Sequence, residues 1–148
     1  MFRSTPANQA PFLAQSRVNG FRSKLLRLDG LFLVAMGSGG IAMDLLSYLA
    51  GAGPFAGTFL RDPLVIGVIE AHGLAALVGA MALAKVRFGG AALHLQLGAA
   101  HLLLGAANIA FFAVFDALGG ALQGVLVTFV HFAFALANAA AVIEFNRR

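Results

Sequence analysis

The chain runs through four long apolar stretches, separated by short turns that carry glycine, proline or charge. The first covers residues 31–50, with Asp29 as its cap, and stops at Gly51-Ala52-Gly53-Pro54. The second spans 63–85 and opens on Asp62-Pro63, an N-cap followed by proline in the first turn. Arg87-Phe88-Gly89-Gly90 turns the chain into a third stretch, 91–115, and residues 116–120 turn it into a fourth, 121–145. Each has the roughly 20 residues needed to cross a hydrocarbon core. The stretches are rich in Ala, Leu and Gly and show no sustained alternation, so they predict helices and not strands.

Residues 1–28 form the only extended polar segment. Pro6 and Pro11 argue against a helix at the very start. From Phe12 onward, Ala14, Val18, Phe21 and Leu25 share one helical face, while Arg17, Lys24 and Arg27 share another, the pattern of an interfacial amphipathic helix. The segment lacks the apolar core of a secretory signal. Its Arg/Ser content, with no acid before Asp29, matches an organellar transit peptide in composition. The simpler reading, a basic cytoplasmic tail, is preferred. The predicted fold is therefore an all-α membrane protein, an up-down bundle of four transmembrane helices over 29–146 behind a basic segment over 1–28.

Composition agrees. Only 11% of the 148 residues are charged and 60% are hydrophobic, with a mean hydropathy of +0.88. A soluble domain carries roughly 25% charged residues, so a bilayer is the solvent this chain suits. There is no cysteine, which excludes disulfides, thiolate metal sites and cysteine catalysis. The sequence pI near 10.8 does not mark a nucleic-acid binder, because the basic residues are few and flank apolar segments. They read as topology determinants and lipid headgroup contacts. Nine of them (Arg3, Arg17, Arg22, Lys24, Arg27, Lys85, Arg87, Arg147 and Arg148) fall on one side of the predicted bundle, against Arg61 alone on the other. The asymmetry predicts a multi-pass membrane protein with both termini cytoplasmic, and the Ala/Gly-heavy composition points to a bacterial cell (inner) membrane.

The chemistry available lies inside the membrane. At about 1.5 Å per residue, His72, His101 and His131 each fall close to the bilayer midplane, one apiece on helices two, three and four. Asp44 and Glu70 lie somewhat toward the outer face. A charged side chain at such depth costs about 2.5–3.5 kcal/mol on insertion scales, so these residues are expected to face the bundle interior, paired or functional. His94, His101 and Asn108 form one stripe with Gly98 and Gly105; Gly124, Thr128, His131, Ala135 and Asn138 form another; Gly37, Gly40, Asp44 and Ser47 a third. Small residues let helices approach, and polar ones bond across the gap. Glu70 and His72, two residues apart, point to different faces, and the spacing does not decide which looks inward.

Four readings follow. Histidine, asparagine and carboxylate residues serve as hydrogen-bonding glue in a membrane subunit that binds a protein partner or its own copies. Alternatively, His101 and His131 hold a haem b, with His72 and His131 as the fallback pair, in an electron carrier or membrane anchor; membrane-anchored b-type cytochromes are similar in general layout. A third reading places a non-haem metal on His72, His101 and His131 with Asp44 or Glu70. The fourth is a proton or small-solute pathway with Asp44, Glu70, the histidines, Asn108 and Asn138 as its polar interior. No phosphate loop or nucleophile–base motif is present, and the expectation is a partner-binding membrane subunit and not an enzyme.

Overall fold

The computed structural model describes the backbone of residues 10–146 and the side chains of residues 20–145. Pro6 and the basic residues Arg3, Arg147 and Arg148 lie outside the described residues, as do the side chains of Ala14, Arg17 and Val18. The elements are helices α1 (Ala10–Ala50), α2 (Ala56–Phe59), α3 (Val65–Ala84), α4 (Ala91–Ala110), α5 (Phe112–Ala117) and α6 (Ala121–Asn146). Four of them are long and apolar enough to cross a membrane: α1 over Gly20–Ala50, α3, α4, and α6 over Ala121–Phe145. The protein is thus an all-α membrane bundle of four spans.

The first element departs from the sequence pattern. α1 is one helix of 41 residues, about 60 Å long at 1.5 Å per residue, and it passes without a break through the point where the apolar run begins. Asp29 is therefore not a helix cap. It sits well inside α1 with its backbone already in the helical ladder, and its side chain is free to bond elsewhere. Pro11 falls in the first turn, where a missing N–H costs nothing. α1 ends where Gly51 (φ 58°) and Gly53 (φ 94°) take left-handed conformations that a side chain would resist. At the next start, Asp62 Oδ1 accepts from the backbone N–H of Leu64, 2.9 Å away, and the helix proper begins at Val65. The third apolar run is interrupted at Phe111, which leaves a short α5 to cover the end of the bundle.

The spans pack as two antiparallel hairpins, α1 with α3 and α4 with α6. Glycine makes both contacts close. A Cβ at Gly37 would lie 2.5 Å from the His72 carbonyl oxygen, and one at Gly79 would lie 2.7 Å from that of Gly30. In the second hairpin, Gly105 receives the Phe132 ring and Gly124 the Phe115 ring. Between hairpins the backbones stay further apart, and side chains fill the gap. Leu26, Leu33, Ala82 and Leu97 make the apolar core there, and Phe32 lies against the rings of His101, His131 and Phe134. The core sits toward the end of the bundle that holds Lys24, Arg27, Lys85 and Arg87, the basic end; the α1–α3 connection and α5 lie at the far end.

Candidate functional site

Along α1, positions 22, 26, 29, 33, 37, 40, 44 and 47 recur at steps of three and four residues and trace a single stripe. Arg22, Leu26, Asp29, Leu33, Gly37, Asp44 and Ser47 on it are buried. On α4 the matching stripe buries His94, Leu97, His101 and Gly105, and α6 contributes Gly124, Asn138 and Ala141. Helical period thus brings two carboxylates, two histidines and an asparagine to full burial.

Most of these polar groups join in one network centred on Asp29. Its Oδ1 lies 2.7 Å from His101 Nε2 and its Oδ2 accepts from Asn138 Nδ2 at 2.8 Å. A carboxylate only accepts, so it fixes the roles of its neighbours. Asn138 must turn its NH₂ toward Asp29, where it also donates to the Phe134 carbonyl at 3.0 Å. The Asn138 Oδ1 is then left to accept from His94 Nδ1, 2.7 Å away. His101, donating from Nε2, has Nδ1 as an acceptor for His131 Nδ1, at 2.8 Å. With His101 neutral, the order of donation runs from His131 to His101 to Asp29. His101 also stacks on Phe134, at 5.0 Å between centroids, so its ring plane is held as well as its edge.

A second pair stands apart from the first. His72 Nδ1 lies 2.7 Å from Asp44 Oδ2; Asp44 is fully buried and His72 is 35% exposed. Gly40 makes room for this imidazole, since a Cβ there would come within 2.5 Å of the ring. His72 lines two neighbouring hollows. One, of about 200 Å³, lies between the hairpins and is bounded by Phe32, Gly37, His72, Asn108, Gln123 and His131. The other, of about 440 Å³, runs toward the far end past Met43, Phe55, Phe59 and Gly120. Met36, His72, Phe115 and Gln123 border both. The inner space is large and polar enough to hold several waters. It brings the Asp44–His72 pair and the His131 end of the Asp29 network to opposite walls of one cavity.

The structure therefore places the sequence candidates as follows. His101, Asp44 and Asn138 are buried and bonded; His131 and Asn108 line the inner cavity; His72 faces Asp44 and the cavity. Glu70 lies on the opposite face of α3 and is exposed. Asp29 was not among the candidates, although it lies on the stripe of Gly37, Gly40 and Asp44 carried back two turns. Gln123 was also missed, since a single amide near a helix start carries no sequence signal.

The haem reading does not fit this geometry. The rings of His101 and His131 are 5.1 Å apart between centroids and joined by a hydrogen bond, which leaves no gap for a macrocycle. Both nitrogens of His101 are already engaged, whereas an axial ligand needs a free lone pair. The fallback pair, His72 and His131, shares only the inner cavity, smaller than the roughly 300 Å³ at which cofactor pockets begin. Among the described residues no three His, Asp or Glu side chains are grouped to hold a metal ion. Comparison of the chain with protein-family models, with characterised proteins and with solved structures found no match.

Proposed function

We propose that this membrane protein is proton-responsive, with the basic end in the cytoplasm. Its cavity admits protons or a small solute from the far side, and a proton taken up by the buried chain sets how firmly the two hairpins hold together. One observation carries the reading: Asp29, fully buried on the first hairpin, bonds at once to His101 and Asn138 of the second. His131, His101 and Asp29 are three proton-accepting groups in series, with His131 on the cavity wall. The series ends at Asn138, because an amide donates a hydrogen bond but does not pass a proton on. A proton entering from the cavity is therefore held at the clasp and does not run through it. Adding charge or removing the acceptor there alters the bonds that join the hairpins.

The test uses the absence of native cysteine. Spin labels on cysteines introduced at Ala52 and Ala117, one at the far end of each hairpin, report their separation in lipid. The expected result is a distance distribution that differs between pH 5 and pH 8 in the otherwise wild-type protein and stops responding in Asp29→Asn. An identical distribution at both pH values overturns the proposal. A second reading, a subunit that binds a protein partner, is favoured by Glu70, a carboxyl side chain on the outward face of α3 one and a half turns inside the helix, where a neighbouring helix would give it company.

A further inference from the structure

At the basic end, a hollow of about 420 Å³ opens between α1 and the turn that follows α3. Arg27 borders it from α1 and Arg87 from the turn; Leu31, Leu83, Val86 and Phe88 supply apolar walls. α1 and α3 run antiparallel with Gly30 against Gly79 and Leu83, which sets Arg27 opposite the end of α3, beside the turn that carries Arg87. The hydroxyl of Ser23 donates to the Val86 carbonyl at 3.4 Å, and Leu26 lies directly against Gly89, so the turn is held beside this part of α1. Leu31 and Leu83 come about one turn, roughly 6 Å, deeper along the spans. Phe88, 87% exposed, stands at the rim. Both arginines are exposed, and neither forms an ion pair with another of the described residues. The nearby acid on α1, Asp29, is turned inward and spent on His101 and Asn138. The hollow thus has a positive mouth, an apolar floor one turn below it, and no carboxylate in its wall.

We propose that this hollow is a binding site for one anionic phospholipid, with the phosphate between Arg27 and Arg87 and the acyl chains descending past Leu31 and Leu83. The vertical order of the lining matches that of the ligand. Two guanidiniums at headgroup level recognise a phosphodiester, and basic pockets beside transmembrane helices select such headgroups. A soluble phosphate would find the same charge but gain nothing from the apolar floor.

The experiment is native mass spectrometry of the full chain released from nanodiscs holding equal phosphatidylglycerol and phosphatidylcholine. Wild-type protein is expected to retain one phosphatidylglycerol with a preference of roughly tenfold over phosphatidylcholine. Arg27→Gln/Arg87→Gln should abolish the preference, and Lys24→Gln, which removes an exposed charge outside the hollow, should keep it. If the double variant does not purify, Arg87→Gln alone, outside the helices, carries the comparison and should weaken the preference severalfold. No preference in the wild type, an undiminished one without the arginines, or an equal loss in Lys24→Gln overturns the proposal. Release of the lipid by millimolar inorganic phosphate would overturn it too, as a phosphate site without a lipid.

Discussion

At the residue scale, the protein concentrates its unusual chemistry on one carboxylate. Removing Asp29 leaves two buried donors, His101 Nε2 and Asn138 Nδ2, without their acceptor. Each buried group left unpaired costs about 1–3 kcal/mol, so Asp29→Ala is expected to destabilise the bundle by roughly 2–5 kcal/mol in an unfolding titration with denaturing detergent. Asp29→Asn keeps an acceptor oxygen for one donor, and the other partner can adapt by changing the His101 tautomer. Its cost should stay near 1 kcal/mol, about that of one net hydrogen bond. Equal losses for the two variants would show that Asp29 holds the hairpins by charge and not by its pattern of bonds. Histidine reactivity offers an independent check on the same network. His94 and His101 are fully buried, whereas His72 and His131 border the cavity. An imidazole-acylating reagent, followed by mass spectrometry, should modify His72 and His131 well before His94 and His101. Early modification of His101 would contradict the buried chain.

At the scale of the element, α1 decides the architecture because one stripe on it does two jobs. Its glycines bring α3 close, and Asp29 on it reaches to α4 and α6. The glycines are not equivalent. Gly37 is pressed against the backbone of α3, while a Cβ at Gly39 meets nothing within 4 Å. Gly37→Ala forces the hairpin apart and should cost about 1–3 kcal/mol by overpacking. Gly39→Ala gains helix propensity without a clash and should stabilise by up to about 1 kcal/mol. The two substitutions lie two residues apart in the same helix and have opposite expected signs. Stability measured side by side in the same detergent checks the pair, and a shared sign would show that α1 and α3 do not pack through Gly37.

At the scale of the whole molecule, the arrangement is two tight hairpins joined by a polar clasp and an apolar core toward the basic end, with two neighbouring hollows toward the other. If the clasp receives protons from the cavity, the route passes His131, which borders the inner space. With the spin labels at Ala52 and Ala117, His131→Leu, which leaves Asp29, His101 and Asn138 in place, should blunt the change in separation between pH 5 and pH 8. A full response in that variant would show that the proton reaches the clasp by a route other than His131. The orientation of the bundle is a separate matter for reporter fusions. A reporter active only in the cytoplasm should work in the 85–90 turn and stay silent in the 51–61 loop. The reverse would invert the molecule.

The four spans were legible from the sequence because a membrane helix is specified by local quantities. About 20 apolar residues between turn signals are enough, whatever the rest of the chain does. The interior faces were legible for the same reason: a period of 3.6 residues puts Gly37, Gly40, Asp44 and Ser47 on one line wherever that line points. Partnership was not, because it depends on how helices distant in sequence settle against one another. His101 and Asn138 are 72 and 109 residues from Asp29, and no local pattern encodes that meeting. Asp29 itself was hidden by the end of the apolar run, since hydropathy shows where lipid begins and not where a helix does. The choice between Glu70 and His72 was likewise tertiary. Both are polar, both lie on α3, and only the approach of α1, with Gly40 making room for the imidazole and Asp44 bonding to it, turned His72 inward and left Glu70 outside.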